Sequence, residues 1–123
     1  MKRKPGTSME QLIDYYENKH SVLGVKIWNE TGKHPNRYFR RYFHPMTFGR
    51  DPAPDEAPEL QFDLATELWF DSREDSDEFF RLGSAAPYGE ILAKDEMEFL
   101  DRDKSLMVVL EEYETDLSIC QTN

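Results

Sequence analysis

The chain has 123 residues, and its acidic residues outnumber its Lys and Arg residues by 25 to 15, which gives a formal net charge of −10. This charge disfavours nucleic acids and anionic membranes as partners, because phosphate contacts require an excess of basic residues. The length is typical of one domain, and an aromatic content of 13% argues against disorder and for a core or pocket built from rings.

The first predicted element is an amphipathic helix that begins after Ser8. Ser8 and Gln11 have the spacing of a capping box, which satisfies free N–H groups at the start of a helix. Apolar residues then recur every three or four positions, as on the buried face of a helix: Met9, Leu12, Ile13, Tyr16, Leu23 and Ile27. His20 falls in the same stripe, so we expect its imidazole to face the interior.

Two strands are predicted next, over 37–45 and 62–70. In both stretches, residues of different polarity alternate along the chain, as they do on the two faces of a strand. In the first, Phe39, Arg41 and Phe43 share one face, and Tyr38, Arg40, Tyr42 and His44 share the other. In the second, Leu64, Leu68 and Phe70 lie opposite Ala65, Glu67 and Trp69. The stretch 45–58 between them holds four prolines, so we expect a loop that acts as a lid or rim.

A second helical region runs from Glu74 to about Leu100 and is interrupted near Pro87, which predicts two shorter helices. In the later helix, Tyr88, Leu92, Asp95 and Phe99 share a stripe, so the Asp95 carboxylate should face the apolar side. A final strand is predicted over Ser105–Tyr113, followed by a flexible tail over 116–123.

This order of elements predicts an α+β sandwich whose sheet has helices on one face only. The other face would hold rings and charges in a mixed set, namely Arg40, Tyr42, Glu67, Trp69, Met107, Val109 and Glu111. Leaving those rings in water is unfavourable, at about 25 cal/mol per Å² of apolar surface. We therefore expect a homodimer that covers this face.

Several short motifs resemble those of the EthD family of the dimeric α+β barrel superfamily. They are the run Lys-Arg-Lys-Pro-Gly, Ser8-Met9-Glu10, Tyr15-Tyr16, His20, Asp95-Glu96 and Phe99-Leu100-Asp101-Arg102. The resemblance implies a ferredoxin-like β-α-β-β-α-β unit with an antiparallel sheet, over residues 1–115, that dimerises sheet to sheet. Two departures are Val22, where the family usually has proline, and a short or truncated first strand, which questions Met1 as the natural start.

Relatives of this kind include polyketide cyclases and small lyases or dehydratases. The resemblance therefore implies a cofactor-independent lyase (dehydratase or decarboxylase) or cyclase, which moves protons on an aromatic or polyketide-like small molecule. His20 is the predicted general acid or base, because imidazole exchanges protons near neutral pH. Asp95 is the predicted partner that orients it. A structural role for either residue remains open.

Five rings are predicted to contact a flat, apolar substrate, and the other rings to pack the core: Tyr16, Trp28, Tyr38, Trp69 and Tyr88. No metal site is expected, since the sequence has no His-x-His, no Glu-x-x-His on a helix and no clustered cysteines. No nucleotide-binding glycine motif is present either, so we expect no cofactor.

Two other functions remain possible from the sequence. One is a haem- or oxygen-using monooxygenase of the same superfamily, with His20 or His44 as a ligand. The other is a dimeric ligand-binding or accessory protein without turnover, in which His20 is structural.

The last feature in the chain is Cys120, the single cysteine, which excludes an intrachain disulfide. A reducing cytoplasm is the compartment that this predicts. The sequence also lacks an apolar run near the ~20 residues of a membrane span and the apolar stretch of a secretory signal.

Overall fold

The computed structural model describes residues 1–46, 50–51, 53 and 58–121. The helices are α1 (Met9–Tyr15) and α2 (Ser21–Thr31), joined by a π-helical turn (Tyr16–His20), then α3 (Arg73–Ser84) and α4 (Tyr88–Glu96). The strands are β1 (Lys2–Arg3), β2 (Arg37–Tyr42), β3 (Leu64–Trp69) and β4 (Leu100–Asp101). This is a mixed α+β fold with antiparallel strand pairs, in the β-α-β-β-α-β order predicted for a ferredoxin-like unit.

The first helix begins as its capping box predicts. The Ser8 hydroxyl accepts a hydrogen bond from the backbone N–H of Gln11 at 3.1 Å, and the Gln11 side-chain oxygen accepts one from the N–H of Ser8 at 2.9 Å. The helical segment ends at Gly32, whose φ of 74° lies in the left-handed region that glycine adopts without steric cost. Both ends are therefore set by local sequence.

The π-helical turn was not predicted, and it changes which residues are buried. Leu12, Tyr16, His20 and Gly24 are all buried and follow one another at intervals of four. In a regular α-helix each such step overshoots a full turn by about 40°, so three steps would rotate the last side chain about 120° off the buried face. The wider π-helical turn absorbs this rotation and keeps all four on the inner face.

Strands β2 and β3 pair with Arg37 opposite Trp69 and Tyr42 opposite Leu64. The predicted alternation is confirmed in both strands. The predicted grouping across the strands is wrong, because Tyr42 and Arg40 face the helices: Arg40 binds Glu17 and the Tyr42 ring packs against Tyr16. The opposite side of these strands is the open face of the sheet, which consists of Arg37, Phe39, Arg41, Ala65, Glu67 and Trp69.

The predicted final strand over Ser105–Tyr113 is also wrong. The strand that pairs with β1 is β4, with Lys2 opposite Asp101 and Arg3 opposite Leu100. Directly after Asp101, a 3₁₀ turn over Arg102–Lys104 takes the backbone out of the direction of the ladder. Residues 105–113 form no strand.

Met1 and Asp63 join the strand pairs to each other. The backbone oxygen of Met1 accepts hydrogen bonds from the N–H groups of Asp63 and Leu64. The buried Asp63 carboxylate accepts a hydrogen bond from the backbone N–H of Arg3 at 2.8 Å and lies 3.5 Å from the Lys2 ammonium. A buried carboxylate of this kind is stable only because it is paired.

The core lies between α1 and the sheet, closed by the segment after α4. Its buried apolar residues are Leu12, Tyr16, Leu64, Phe99 and Leu100. Among the residues that the structure describes, no helix is both long and apolar enough to cross a bilayer. The loop predicted over 45–58 lies largely outside the described residues, and the domain bounds of 1–115 and 116–123 stay a prediction.

Candidate active site around His20

His20 is the last residue of the π-helical turn, and its side chain is buried, with 8% of the residue exposed. The imidazole lies edge-on to the Tyr16 ring at 5.1 Å between centroids and tilted against the Phe99 ring at 5.0 Å. The inward direction predicted for this histidine is confirmed. Aromatic rings on two sides shield it from water.

The predicted meeting of His20 and Asp95 is present in the fold. The Asp95 Oδ2 atom lies 2.7 Å from His20 Nδ1, although the two residues are 75 positions apart. Asp95 projects from α4, near the helix end. Hydrogen bonds to a charged carboxylate are shorter and stronger than bonds between neutral groups. The other oxygen of Asp95 accepts from a second donor.

The second donor is Tyr15, which sequence reasoning did not include among the site residues. Its hydroxyl donates a hydrogen bond of 2.6 Å to Asp95 Oδ1. Burial, together with this bond, raises the pKa of Tyr15 to about 12, so the phenol stays protonated as a donor at neutral pH. Tyr15 lies outside the apolar stripe, so the periodicity of the helix did not indicate a role for it. Its place in the Tyr15-Tyr16 motif was the sequence feature that could have identified it.

The carboxylate determines which ring nitrogen carries the proton. An ionised Asp95 can only accept hydrogen bonds, so the neutral imidazole is assigned the tautomer with the proton on Nδ1. The lone pair then lies on Nε2. Nε2 has no hydrogen-bond partner among the described residues. In this part of the chain, the Tyr42 hydroxyl is the one fully buried side-chain group without a partner. Nε2 is therefore not fully buried and keeps contact with solvent. An imidazole so held can take a proton through Nε2.

Next to His20 lies a chain of hydroxyl groups that links the helix to the sheet. The Tyr38 hydroxyl donates to the Tyr16 hydroxyl at 3.1 Å, and the Tyr16 oxygen lies 2.8 Å from the Thr66 hydroxyl. Burial raises the pKa of both Tyr16 and Tyr38. These phenols are therefore neutral hydrogen-bonding groups rather than acids or bases at neutral pH.

Three of the five predicted substrate-binding rings form one cluster. Tyr16 and Tyr38 are hydrogen-bonded, and the Trp28 ring lies edge-on to Tyr38 at 5.0 Å, so these three form one cluster. Trp69 lies on the opposite side of the sheet, 38% exposed. Tyr88, at the start of α4, is paired with Glu30, which raises the pKa of its phenol.

The depressions on the described surface include two that are open to solvent. One, of about 610 Å³, is lined by residues 59–62 and 103–106 with Lys2. The other, of about 450 Å³, lies beside α1 and is lined by Met9, Ile13, Glu17 and His44 among others. His20 lines neither of them. Within the described ranges, no group of three His, Cys, Asp or Glu residues is placed to hold a metal ion.

A comparison with protein-family models matches residues 4–103 to the EthD domain. This span begins just after β1 and includes all four helices and strands β2, β3 and β4, as well as Tyr15, His20 and Asp95. Neither the comparison with curated proteins nor the comparison with solved structures found a match.

Proposed function

The chain belongs to the EthD domain family, and from that membership and the geometry at His20 we propose that it is a cofactor-independent enzyme. The proposed reaction is proton transfer on an aromatic or polyketide-like small molecule, as a dehydratase, decarboxylase or cyclase. The observation that carries the proposal is the 2.7 Å contact between His20 Nδ1 and Asp95 Oδ2, which leaves Nε2 as the reacting nitrogen.

In a dehydration, Nε2 removes a proton from the carbon next to a carbonyl group, which gives an enolate and an imidazolium ion. The imidazolium then returns that proton to the hydroxyl group on the neighbouring carbon, which leaves as water while the carbon–carbon double bond forms. The ring is neutral again at the end, so no cofactor is consumed. A decarboxylation or a ring closure uses the same proton shuttle with a different leaving or attacking group.

Asp95 supports this step by charge and by orientation. When Nε2 takes up a proton, the imidazolium lies next to an anion in a largely buried setting, where the attraction is stronger than in water. Tyr15 occupies the other carboxylate oxygen, so the carboxylate cannot rotate away from the ring. The rings of Tyr16 and Phe99 pack against the imidazole and help to hold its orientation.

A second candidate function is a ligand-binding or accessory protein without turnover. The observation that favours it is the position of the two depressions, neither of which is lined by His20. In this case the contact between His20 and Asp95 serves to hold the π-helical turn against α4, and a ligand binds elsewhere.

Hydrogen exchange on a test ketone separates the two candidates. The full-length protein is incubated in D₂O with α-tetralone, an aromatic ketone with exchangeable hydrogens beside its carbonyl, and deuterium uptake is followed by NMR. For the enzyme we expect uptake above the buffer rate, and a loss of about 10²–10⁴-fold in the catalysed rate for both His20→Gln and Asp95→Asn. An aromatic β-hydroxyketone, followed for loss of water, is the second probe.

The matched control is His44→Gln, because His44 is an exposed histidine away from Asp95. It should keep the catalysed rate within about twofold of the unsubstituted chain. If neither probe reacts faster than in buffer, the result favours the non-catalytic candidate. If His20→Gln keeps the full catalysed rate, His20 is not the reacting group and the proposed mechanism is wrong. Circular dichroism of each variant separates a lost reaction from a lost fold.

A further inference from the structure

Ser21 follows His20 directly and closes the π-helical turn. Its backbone N–H donates to the carbonyl oxygen of Tyr16, five positions back. In a regular α-helix this N–H would donate to the carbonyl oxygen of Glu17, four positions back. The Ser21 hydroxyl donates to that Glu17 oxygen at 2.8 Å instead. Ser21 therefore supplies a donor to two adjacent carbonyl oxygens of the wide turn.

The hydroxyl of Ser21 makes this bond away from bulk water, because the residue is buried, with 8% of it exposed. In a regular α-helix, a serine that bonds the carbonyl group four positions back only adds a second donor, and it slightly destabilises the helix. Here the backbone N–H of the same residue is directed elsewhere, so the hydroxyl takes its place. The bond thus favours the wide turn over the regular one.

The first two residues of the turn are fixed to the sheet. The Tyr16 oxygen lies 2.8 Å from the Thr66 hydroxyl of β3, and the Glu17 carboxylate accepts three hydrogen bonds from Arg40 of β2. Ser21 binds the carbonyl oxygens of these same two residues. The position of the helix after the turn, relative to the sheet, therefore depends on the two bonds that Ser21 donates.

The direction of the His20 side chain depends on where the wide turn lies. If the N–H of residue 21 returned to the Glu17 oxygen, the turn would narrow or move along the chain, and the imidazole would rotate away from Asp95, now at 2.7 Å. We propose that Ser21 is a positioning residue, whose hydroxyl keeps the wide turn in place and so keeps the His20 ring against Asp95. The effect on activity rests on the proposed function, whereas the positioning does not.

Ser21→Thr and Ser21→Val test the hydroxyl at constant shape, because Thr and Val differ by one hydroxyl group. A threonine hydroxyl can reach the carbonyl oxygen four positions back, so Ser21→Thr should keep the Nδ1-protonated tautomer of His20. Ser21→Val should lose it as the dominant form, and Ser21→Ala repeats the test without the added methyl groups. The measurement is ¹⁵N NMR at about pH 8.5, where an ordinary imidazole is neutral.

His34 is the internal reference for this measurement, since its Nδ1 lies 2.8 Å from the backbone oxygen of Pro35 and its signals should not change. The matched control variant is Thr31→Val. It removes a hydroxyl that donates to the backbone oxygen of Trp28 at the other end of α2, where the N–H of Gly32 also donates. This variant should keep the His20 tautomer and the catalysed rate.

Activity is measured as hydrogen exchange on α-tetralone. Ser21→Val and Ser21→Ala should lower kcat by about tenfold or more and leave KM within about twofold, because a displaced base slows proton transfer and not binding. Ser21→Thr should restore kcat to within about threefold of the unsubstituted chain.

The proposal is overturned if Ser21→Val keeps the tautomer, or if Ser21→Thr loses it as fully as Ser21→Val, because the hydroxyl is then not the cause. A lower free energy of unfolding in Ser21→Val with an unchanged tautomer also overturns it, since the role of Ser21 is then structural only. If the unsubstituted chain does not catalyse exchange, the proposed function fails, and the NMR comparison still decides the role of Ser21.

Discussion

Asp95 has both carboxylate oxygens occupied, one by the Tyr15 hydroxyl and one by His20 Nδ1. The two donors come from adjacent turns of the first helical segment, whereas the acceptor comes from α4. One carboxylate therefore fixes the relative position of two helical elements and the tautomer of a histidine. The two hydrogen bonds to Asp95 therefore contribute both to the stability of the fold and to the proton-accepting state of His20. A substitution that removes one of these bonds and keeps the other distinguishes the two contributions.

Tyr15→Phe is the substitution that removes one donor and keeps the ring. The Tyr15 ring stacks on Phe99 at 5.0 Å, and this packing should survive. We expect the free energy of unfolding to fall by about 1–2 kcal/mol, since hydrogen bonds to charged groups contribute on this order. Urea denaturation measures the change.

Tyr113→Phe is its matched control, because this phenol is 90% exposed and its contact with Glu111 is long, at 3.5 Å. The control should change the free energy of unfolding by less than about 0.5 kcal/mol. A Tyr15→Phe change of the same small size would mean that the Tyr15 hydroxyl does not hold Asp95 in solution.

At the scale of elements, the π-helical turn decides how the first helix meets the sheet. Glu17 projects from this turn and pairs with Arg40 of β2 through contacts of 2.7–3.0 Å. The Ser21 hydroxyl, at the start of α2, donates to the backbone oxygen of Glu17 at 2.8 Å. Tyr16 and Glu17 thus connect the turn to the sheet, and His20 connects it to α4. Wide turns of this kind are often found at functional sites.

Deleting Asn18, an exposed residue in the turn, tests what the wide turn is for. The deletion changes the spacing between Tyr16 and His20 from four to three, and a regular α-helix then keeps the buried stripe on one face. We expect unchanged helix content by circular dichroism and cooperative unfolding. The loss of one residue moves His20 along the helix axis by about 1.5 Å relative to α1. This displacement should break the 2.7 Å contact with Asp95, so ¹⁵N NMR should no longer detect the Nδ1-protonated tautomer as the dominant form of His20.

Asn18→Ala is the control for this deletion, since it removes the side-chain bond to Asp14 without changing the spacing. It should keep the His20 tautomer. If the deletion variant also keeps the tautomer, the wide turn does not position His20; if the deletion variant is unfolded, the turn is needed for the core itself.

For the whole molecule, the phenols make stability depend on alkaline pH. Burial raises the pKa of Tyr42 to about 12 and, together with Asp95, that of Tyr15 to about 12 as well. Burial also raises the pKa of Tyr16 and Tyr38. In the unfolded chain these groups lose their protons near pH 10. Between about pH 10 and about pH 12 the unfolded state binds fewer protons than the folded state, so raising the pH favours unfolding.

Below about pH 10, titration of these phenols should not change the free energy of unfolding. From about pH 10 to about pH 12, we expect the free energy of unfolding to decline steadily. Urea denaturation at several pH values measures the decline. Tyr42→Phe removes one of the shifted phenols, and it should make the decline less steep. A free energy of unfolding that stays level up to about pH 12 would contradict the assignment of buried, neutral phenols.

Much of the fold was predictable because its signals are local. The Ser8 and Gln11 pair marks the start of α1, and alternation along β2 and β3 assigns residues to two faces. The stripe through Tyr88 and Asp95 predicts the side of α4 that faces inward. Each of these signals depends on residues within one or two turns, or within one strand, and needs no knowledge of the rest of the chain.

The sequence by itself determined the α+β order of elements, the family and the inward direction of His20 and Asp95. Only the tertiary structure decided which strand faces are covered, that Tyr15 joins the carboxylate, that the helix widens at Tyr16–His20, and that residues 105–113 lack a strand partner. The physical reason is that helix and strand periods fix directions relative to their own axis. Which segment a side chain meets in that direction depends on packing and strand pairing between segments that lie far apart in the chain.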